Sequence, residues 1–124
     1  MPETTTQRTR FEHASPILCV ANLAESVRYY VETLGFSNAD WAMPDFTCVT
    51  RDGATIYLSE RSQGQSGTWV WLGVEDVDAL HDEYRRTGAT ILQPPRDLPW
   101  AREMKVGDPD GHVLRFGSDP GDGA

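Results

Sequence analysis

Three pairs of residues recur at one fixed offset. Val20 and Val74, Leu23 and Val77, and Tyr30 and Tyr84 each stand 54 positions apart, and Asp52-Gly53 returns after 58 as Asp110-Gly111. A period of this length means one supersecondary unit used twice, the second copy slightly longer. SPILCV at 15–20 reads as a strand entering Asn22, an N-cap with Glu25 in the capping-box position. Leu23, Val27, Tyr30, Val31 and Leu34 then share one face of a helix that Gly35 closes. Strands are predicted over 36–42, 45–51 and 54–60, the last two joined by the Asp52-Gly53 hairpin signal. The pattern restarts with TWVWLGV at 68–74, Asp76 as cap, a helix bearing Val77, Leu80 and Tyr84, and Gly88 at its end. Strands over 89–93, 102–107 and 112–118 follow, the last pair turning at Asp108-Pro109-Asp110-Gly111. The expectation is an α+β fold, a single domain of two tandem βαβββ modules at 13–61 and 68–118. The polar stretch 62–67 links them, with tails at 1–12 and 119–124.

Strand parity sorts the side chains further. Pro16, Leu18, Val20, Ile56, Leu58, Val70, Leu72, Val74, Leu114 and Phe116 take the parity that faces the helices, and all are apolar. The other parity holds Ser15, Ile17, Cys19, Tyr57, Ser59, Trp69, Trp71, Val113 and Arg115. A mixed, aromatic sheet face of this kind suits a ligand, and sheets that curve around a cleft would present it.

Charge and composition narrow the partners. Nineteen acidic against eleven basic residues give a net charge of −8 over 124 residues, with no basic stripe, so nucleic acid is not an expected partner. No apolar run approaches the ~20 residues that span a bilayer, and MPETTTQRTRFEHA lacks the apolar segment of a secretory leader. Cys19 and Cys48 form neither a disulfide framework nor a zinc spacing. A cytoplasmic protein with no membrane partner is expected.

The segments VANLAESVRYYVETLGF, GVEDVDALHDEYRRTGA and DPDGHVLRF carry a family resemblance. In this order they resemble the vicinal oxygen chelate superfamily, which comprises glyoxalase I, fosfomycin-resistance transferases, extradiol dioxygenases and bleomycin-resistance proteins, and they cover 15–118. DFTCVTRDGATIYLSE, TWVWLGVEDVDAL and PWAREMKVGDPDGHVLRF are similar to the bleomycin-resistance branch. The resemblance implies a homodimer that exchanges N-terminal strands and forms two clefts between subunits, where a flat drug lies against aromatic side chains. By position it implies ligand contacts from Phe46, Trp69 and Trp100, with Ser59 as a polar neighbour. The stretch Asn38–Asp45 before Phe46 is longer than the branch's pattern, which loosens that placement.

The superfamily's enzymes chelate a divalent metal at four positions, which the repeat maps here onto Ser15, Tyr57, Trp69 and Arg115. Tryptophan has no ligand atom, and arginine is a permanent cation. Neither a metal nor another cofactor is expected. His13, His81 and His112 share no metal-site spacing, and His112 is expected to hydrogen-bond its turn. Cys19 has no base nearby in sequence, and Ser15 and Ser59 fit no nucleophile elbow. Glu103, in PWARE, is the best carboxylate for acid–base work, but without a second acid it is expected to pair with a basic group or face a cationic ligand. No catalytic residue is assigned.

Trp41 has only a loop to explain it, Trp71 divides between wall and core, and Trp100 lies in the Pro-rich segment Gln93–Pro99 and its exit. The candidate ligand residues are thus Phe46, Tyr57, Ser59, Trp69, Trp71, Trp100 and Arg115. The expected function is sequestration of a flat, cationic aromatic antibiotic or similar small molecule without chemistry. The alternatives are a metal-dependent glyoxalase- or dioxygenase-type enzyme with an atypical site, and a structural dimer with a vestigial pocket.

Overall fold

The repeat folds as two sheets with one connectivity. In the computed structural model, which describes residues 8–120, the first sheet orders its strands β1-β4-β3-β2 and the second β5-β8-β7-β6. The first holds β1 (Ile17–Val20), β2 (Ser37–Asn38), β3 (Phe46–Arg51) and β4 (Ala54–Glu60). The second holds β5 (Trp69–Gly73), β6 (Thr90–Asp97), β7 (Arg102–Gly107) and β8 (Val113–Ser118). In each sheet the first strand pairs parallel with the fourth and the other neighbours are antiparallel. The expected tails lie largely outside the described residues, and 8–14 are exposed without helix or strand.

Helix α1 (Leu23–Arg28) starts at Asn22, whose side chain accepts from the Glu25 N–H at 3.0 Å. A second acceptor at this end is the Glu60 carboxylate on β4, which accepts from the Leu23 N–H at 2.9 Å. The helix widens into a π-helical segment at Tyr29–Thr33, where the expectation was one uniform helix through Leu34. Helix α2 (Val77–Thr87) behaves as its sequence predicts: Asp76 caps it by accepting from Ala79, and Gly88 ends it at φ 87°. The DPDG turn is held by Asp108, whose carboxylate accepts from the N–H groups of Asp110 and His112, both at 2.9 Å.

Both helices and the helix-facing sides of both sheets share one core. Leu18 and Leu58 of the first sheet and Leu114 and Phe116 of the second are buried in it with Leu34 and Val77. The repeat partners Tyr30 and Tyr84 are fully buried there, and each phenol donates across to the other module. Tyr30 reaches the Asp108 carboxylate at 2.9 Å, and Tyr84 reaches the Leu34 carbonyl at 2.8 Å. Burial and the neighbouring Asp108 carboxylate push the Tyr30 phenol well above its ordinary pKa, so it stays a donor. Arg51 of β3 adds a two-pronged ion pair to Glu83 of α2, at 2.8 and 2.9 Å. Both sheets turn their helix-facing parity to this shared core, which leaves the opposite parity, with Trp69 and Trp71, exposed.

Two predicted strands change length, each for a local reason. The strand expected over 36–42 shrinks to Ser37–Asn38. The Asn38 side chain accepts from the Ala39 N–H and the Thr47 hydroxyl, turning the chain away. The strand expected over 89–93 extends to Asp97, through the segment read as a loop. Pro94 and Pro95 are tolerated because β6 is an edge strand and its register breaks between Gln93 and Arg96, where no donor is required.

Candidate functional site

Cross-strand register composes the outward face of the second sheet. One row runs Trp71, Arg115, Lys105 and Gln93, and the next runs Gly73, Gly117, Glu103 and Arg96. Trp71 folds down over the glycine row: a β-carbon at Gly117 would come 2.8 Å from its Cζ2, and one at Gly73 3.1 Å from its Cζ3. Its indole N–H donates to Glu103 Oε2 at 2.8 Å, and the Trp100 N–H donates to the same oxygen at 3.2 Å. Arg115 donates through Nε to Glu103 Oε1 at 3.0 Å and pairs with that oxygen through its terminal nitrogen too. One carboxylate, 3% exposed, therefore fixes two indoles and a guanidinium, while Trp71 and Trp100 remain 54% and 63% exposed. Burial alone would push the Glu103 carboxyl up, but the hydrogen bonds from Trp71, Arg115 and Trp100 outweigh it and hold the group below the usual carboxylate range. Such a group is a poor general acid. It anchors.

Trp69, 56% exposed, and Trp100 border a cavity of about 270 Å³ together with Gln93, Leu98, Arg96, Lys105, Glu103 and Arg115. Trp100 stands in a tight turn in which the Leu98 N–H donates to the Ala101 carbonyl at 2.8 Å. The Lys105 ammonium lies 5.3 Å from the centre of the Trp69 ring, a cation–π distance. The acidity of the chain as a whole, −8 in net charge, does not extend to this cavity. Three basic side chains border the cavity against one carboxylate, and that one is already paired with Arg115.

The first sheet's outward face carries a second aromatic group. Phe46 and Tyr57 stack at 5.6 Å between ring centres with 17° between planes, and Trp41 lies 6.0 Å from Phe46 at 30°. Trp41 was not among the sequence candidates for the site, and the Asn38 turn that shortens β2 is what brings it here. Ser59 shares this parity but is fully buried, and its hydroxyl bonds that of Ser62 at 2.7 Å. With Ser62 bonded to it and no exposed surface, Ser59 does not reach the open face.

A larger groove of about 1160 Å³ runs where residues 12–16 pass the Arg51–Ile56 hairpin and the Val70–Asp76 segment. Its lining holds His13 and the carboxylates Glu12, Asp52, Glu75 and Asp76 besides Arg51 and Glu83; the last two are bonded to each other, and Asp76 caps α2. His112 is buried, but its ring bridges modules instead of bonding its own turn. Nδ1 accepts from the Thr68 N–H at 2.9 Å and Nε2 meets the Cys19 carbonyl at 2.7 Å. Cys19 and Cys48 are free thiols, and burial pushes Cys48 up, away from the reactive thiolate. Among the described residues no three His, Cys, Asp or Glu side chains gather to hold a metal ion, and no helix is long and apolar enough to cross a membrane.

Glu103 pairs with a basic group, Arg115, as expected from the sequence; what the sequence reading missed is the anchoring of both indoles on Glu103, Lys105 on Trp69, and the glycine floor. A signal for the floor was present: Gly73 and Gly117 interrupt two otherwise bulky strands, and glycine inside a strand marks a close approach.

Solved structures share this architecture. The bleomycin-binding protein from bleomycin-producing Streptomyces verticillus, solved with copper(II)-bleomycin, is 30% identical over 90% of this chain and 98% of its own, with a TM-score of 0.78. TnmS3, an antibiotic binding protein from Streptomyces sp. CB03234, is 24% identical over 90% and 99%, with a TM-score of 0.73. TioX from Micromonospora sp. ML1 is 22% identical over 88% and 99%, with a TM-score of 0.74. These last two bear on the fold alone. No curated protein matches the chain significantly. A model of the Glyoxalase/Bleomycin resistance protein/Dioxygenase superfamily matches residues 10–116, and with the 30% identical structure it shows that the chain belongs to this superfamily, on its bleomycin-resistance branch.

Proposed function

We propose that this protein binds and holds a flat aromatic antibiotic or similar small molecule without chemically altering it. The observation that carries the reading is the Glu103 anchor. Two indoles are fixed at half or more exposure by one buried carboxylate, at the cost of leaving large apolar surface in water. Rings held in place before binding lose little entropy on stacking, so they favour affinity. Each aromatic contact adds about 0.5–1.5 kcal/mol beyond buried area, and two or three of them reach micromolar affinity with several hundred Å² of burial. The bleomycin-binding protein of Streptomyces verticillus supports a drug as the ligand class. A positive charge on the ligand, expected from the overall acidity, is left out because the side chains around Trp69 and Trp100 are basic.

Each aromatic group lies on the side of its sheet opposite the shared core, so the reading clamps a ligand from both sides between two copies. The reading includes a homodimer in which the Trp41, Phe46 and Tyr57 wall of one protomer faces the Trp69, Trp71 and Trp100 wall of its partner. Exchange of N-terminal strands would also cover Phe11, which is 92% exposed in the single chain. The enzyme alternative finds no metal ligand suited to a divalent ion at Trp69 or Arg115.

The test is tryptophan-fluorescence titration with bleomycin-type, mitomycin-like and polyaromatic compounds, followed by mass spectrometry of the recovered ligand. Saturable quenching with unchanged compound is the expected result. A chemically altered compound, or quenching by none of these, overturns the reading.

A further inference from the structure

The outward face of the second sheet contains an arrangement that costs stability. Lys105 and Arg115 stand directly opposite each other on antiparallel strands, where like charges repel. Arg96 borders the same cavity from β6, one row away and directly opposite Glu103. Only Glu103 offsets these three cations, and both its oxygens are occupied: Oε1 by Arg115, Oε2 by the indoles of Trp71 and Trp100. Among the described residues neither Lys105 nor Arg96 forms an ion pair with a carboxylate. This concentration of positive charge occurs in a chain of net charge −8. Clustered, unneutralised cations beside exposed aromatic rings are what a site needs when its ligand brings the missing negative charge.

We propose that the cavity between Trp69 and Trp100 is an anion subsite, and that the flat aromatic it takes carries an acidic oxygen group held by Lys105 and Arg96. The inference rests on the aromatic-binding reading above and names its ligand class: a planar ring system bearing a carboxylate, sulfonate or ionised phenol. Lys105 already occupies the cation–π position over Trp69, at 5.3 Å from the ring centre. A cationic ligand would have to displace that ammonium and then sit among three like charges. An anionic one keeps the ammonium where it is and takes it as a counter-ion, with the guanidinium of Arg96 able to meet two of its oxygens side by side. Arg115 holds Glu103 and supplies field without leaving its partner. The rings supply area, and the two unpaired cations choose among flat molecules by charge.

The experiment compares three matched probes on the full chain by fluorescence quenching and calorimetry: anthraquinone-2-carboxylate, its carboxamide, and an anthraquinone bearing a trimethylammonium group. The carboxylate should bind about tenfold tighter than the carboxamide, and the ammonium more weakly than either. Raising salt should erode the carboxylate's advantage and leave the carboxamide nearly unaffected. Lys105→Gln and Arg96→Gln should each reduce the preference for the carboxylate over the carboxamide several-fold, the ratio being read within each variant. Near-UV circular dichroism verifies that both variants keep their tryptophan packing, and the wild-type comparison needs no variant. Equal or tighter binding of the carboxamide or the ammonium, or a preference that survives both substitutions together, overturns the anion subsite and leaves aromatic binding intact. Failure of all three probes to bind overturns the anion subsite, and the aromatic reading falls with it when the bleomycin-type and mitomycin-like compounds also fail to quench.

Discussion

The Trp71 indole lies so close to Gly117 that a β-carbon there would sit 2.8 Å from Cζ2, with the nearby Glu103 Cγ at 3.2 Å. A methyl at this position must displace the indole ring or the Glu103 stem. Gly117→Ala should lift the indole off the sheet and loosen its bond to Glu103, costing about 1–3 kcal/mol as an overpacking substitution. Near-UV circular dichroism and tryptophan emission should both change, and ligand affinity should fall about tenfold. An unchanged near-UV spectrum would show that the glycine floor does not set the ring's position.

Glu103 should report on pH. Its carboxyl is held below the ordinary range, so the stability it contributes is complete above the unfolded value of about 4.3 and is lost as pH falls through the lower folded value. Glu103→Gln removes that titration and should flatten the acid limb of the melting profile between about pH 5 and 3. Glu103→Ala strands Arg115 and both indoles, and should cost about 3 kcal/mol, the low end for breaking a buried pair, because Arg115 is partly exposed. Melts of the three proteins across this range check both statements.

Trp100 projects from a turn, and most of its surface touches no other part of the chain. Trp100→Ala should move the melting temperature by less than about 3 °C while binding of the ligand falls more than tenfold. A large drop in stability with affinity retained would place this ring in the fold instead of the site.

His112 satisfies two backbone groups from different modules, the Thr68 N–H and the Cys19 carbonyl. In His112→Ala both lose their partner in a buried setting, at about 1–3 kcal/mol for each group left unpaired. An unfolding free energy lowered by a total of at least about 2 kcal/mol in denaturant titration is expected, with module packing loosened. Wild-type stability in this variant would show that water replaces the ring at no cost.

Assembly follows from the placement of both aromatic groups on the side opposite the shared core. Sedimentation at micromolar concentration should give a twofold dimer with residues 13–20 at or near the interface. Substituting Ile17, which is exposed on the first strand, with Asp should shift the balance toward monomer. A monomer in the wild type would remove the two-walled cleft, leaving the second sheet's face to bind alone.

The repeat, the helix caps and the hydrophobic parity were written in the chain because each is a local matter. Asp76 caps its helix through Ala79, three residues away, and Leu114 and Phe116 follow from period-two alternation. The identity of the exposed aromatics was legible for the same reason: once Leu72 faces the core, Trp71 cannot. What holds those rings was not legible. Glu103 meets Trp71 across 32 positions and Arg115 across 12, and no periodicity reports which strands become neighbours or in what register. The same holds for Trp41, which joins Phe46 only because Asn38 turns the chain, and for Ser59, which is buried with its hydroxyl on Ser62. Net charge is a poor guide to this cavity for a related reason. It sums over the whole surface, whereas a ligand meets the few side chains that cross-strand pairing sets side by side, and at Trp69 those are Lys105, Arg96 and Arg115. Short-range sequence determined which elements form and which residues face outward, and tertiary register decided which of them share a field.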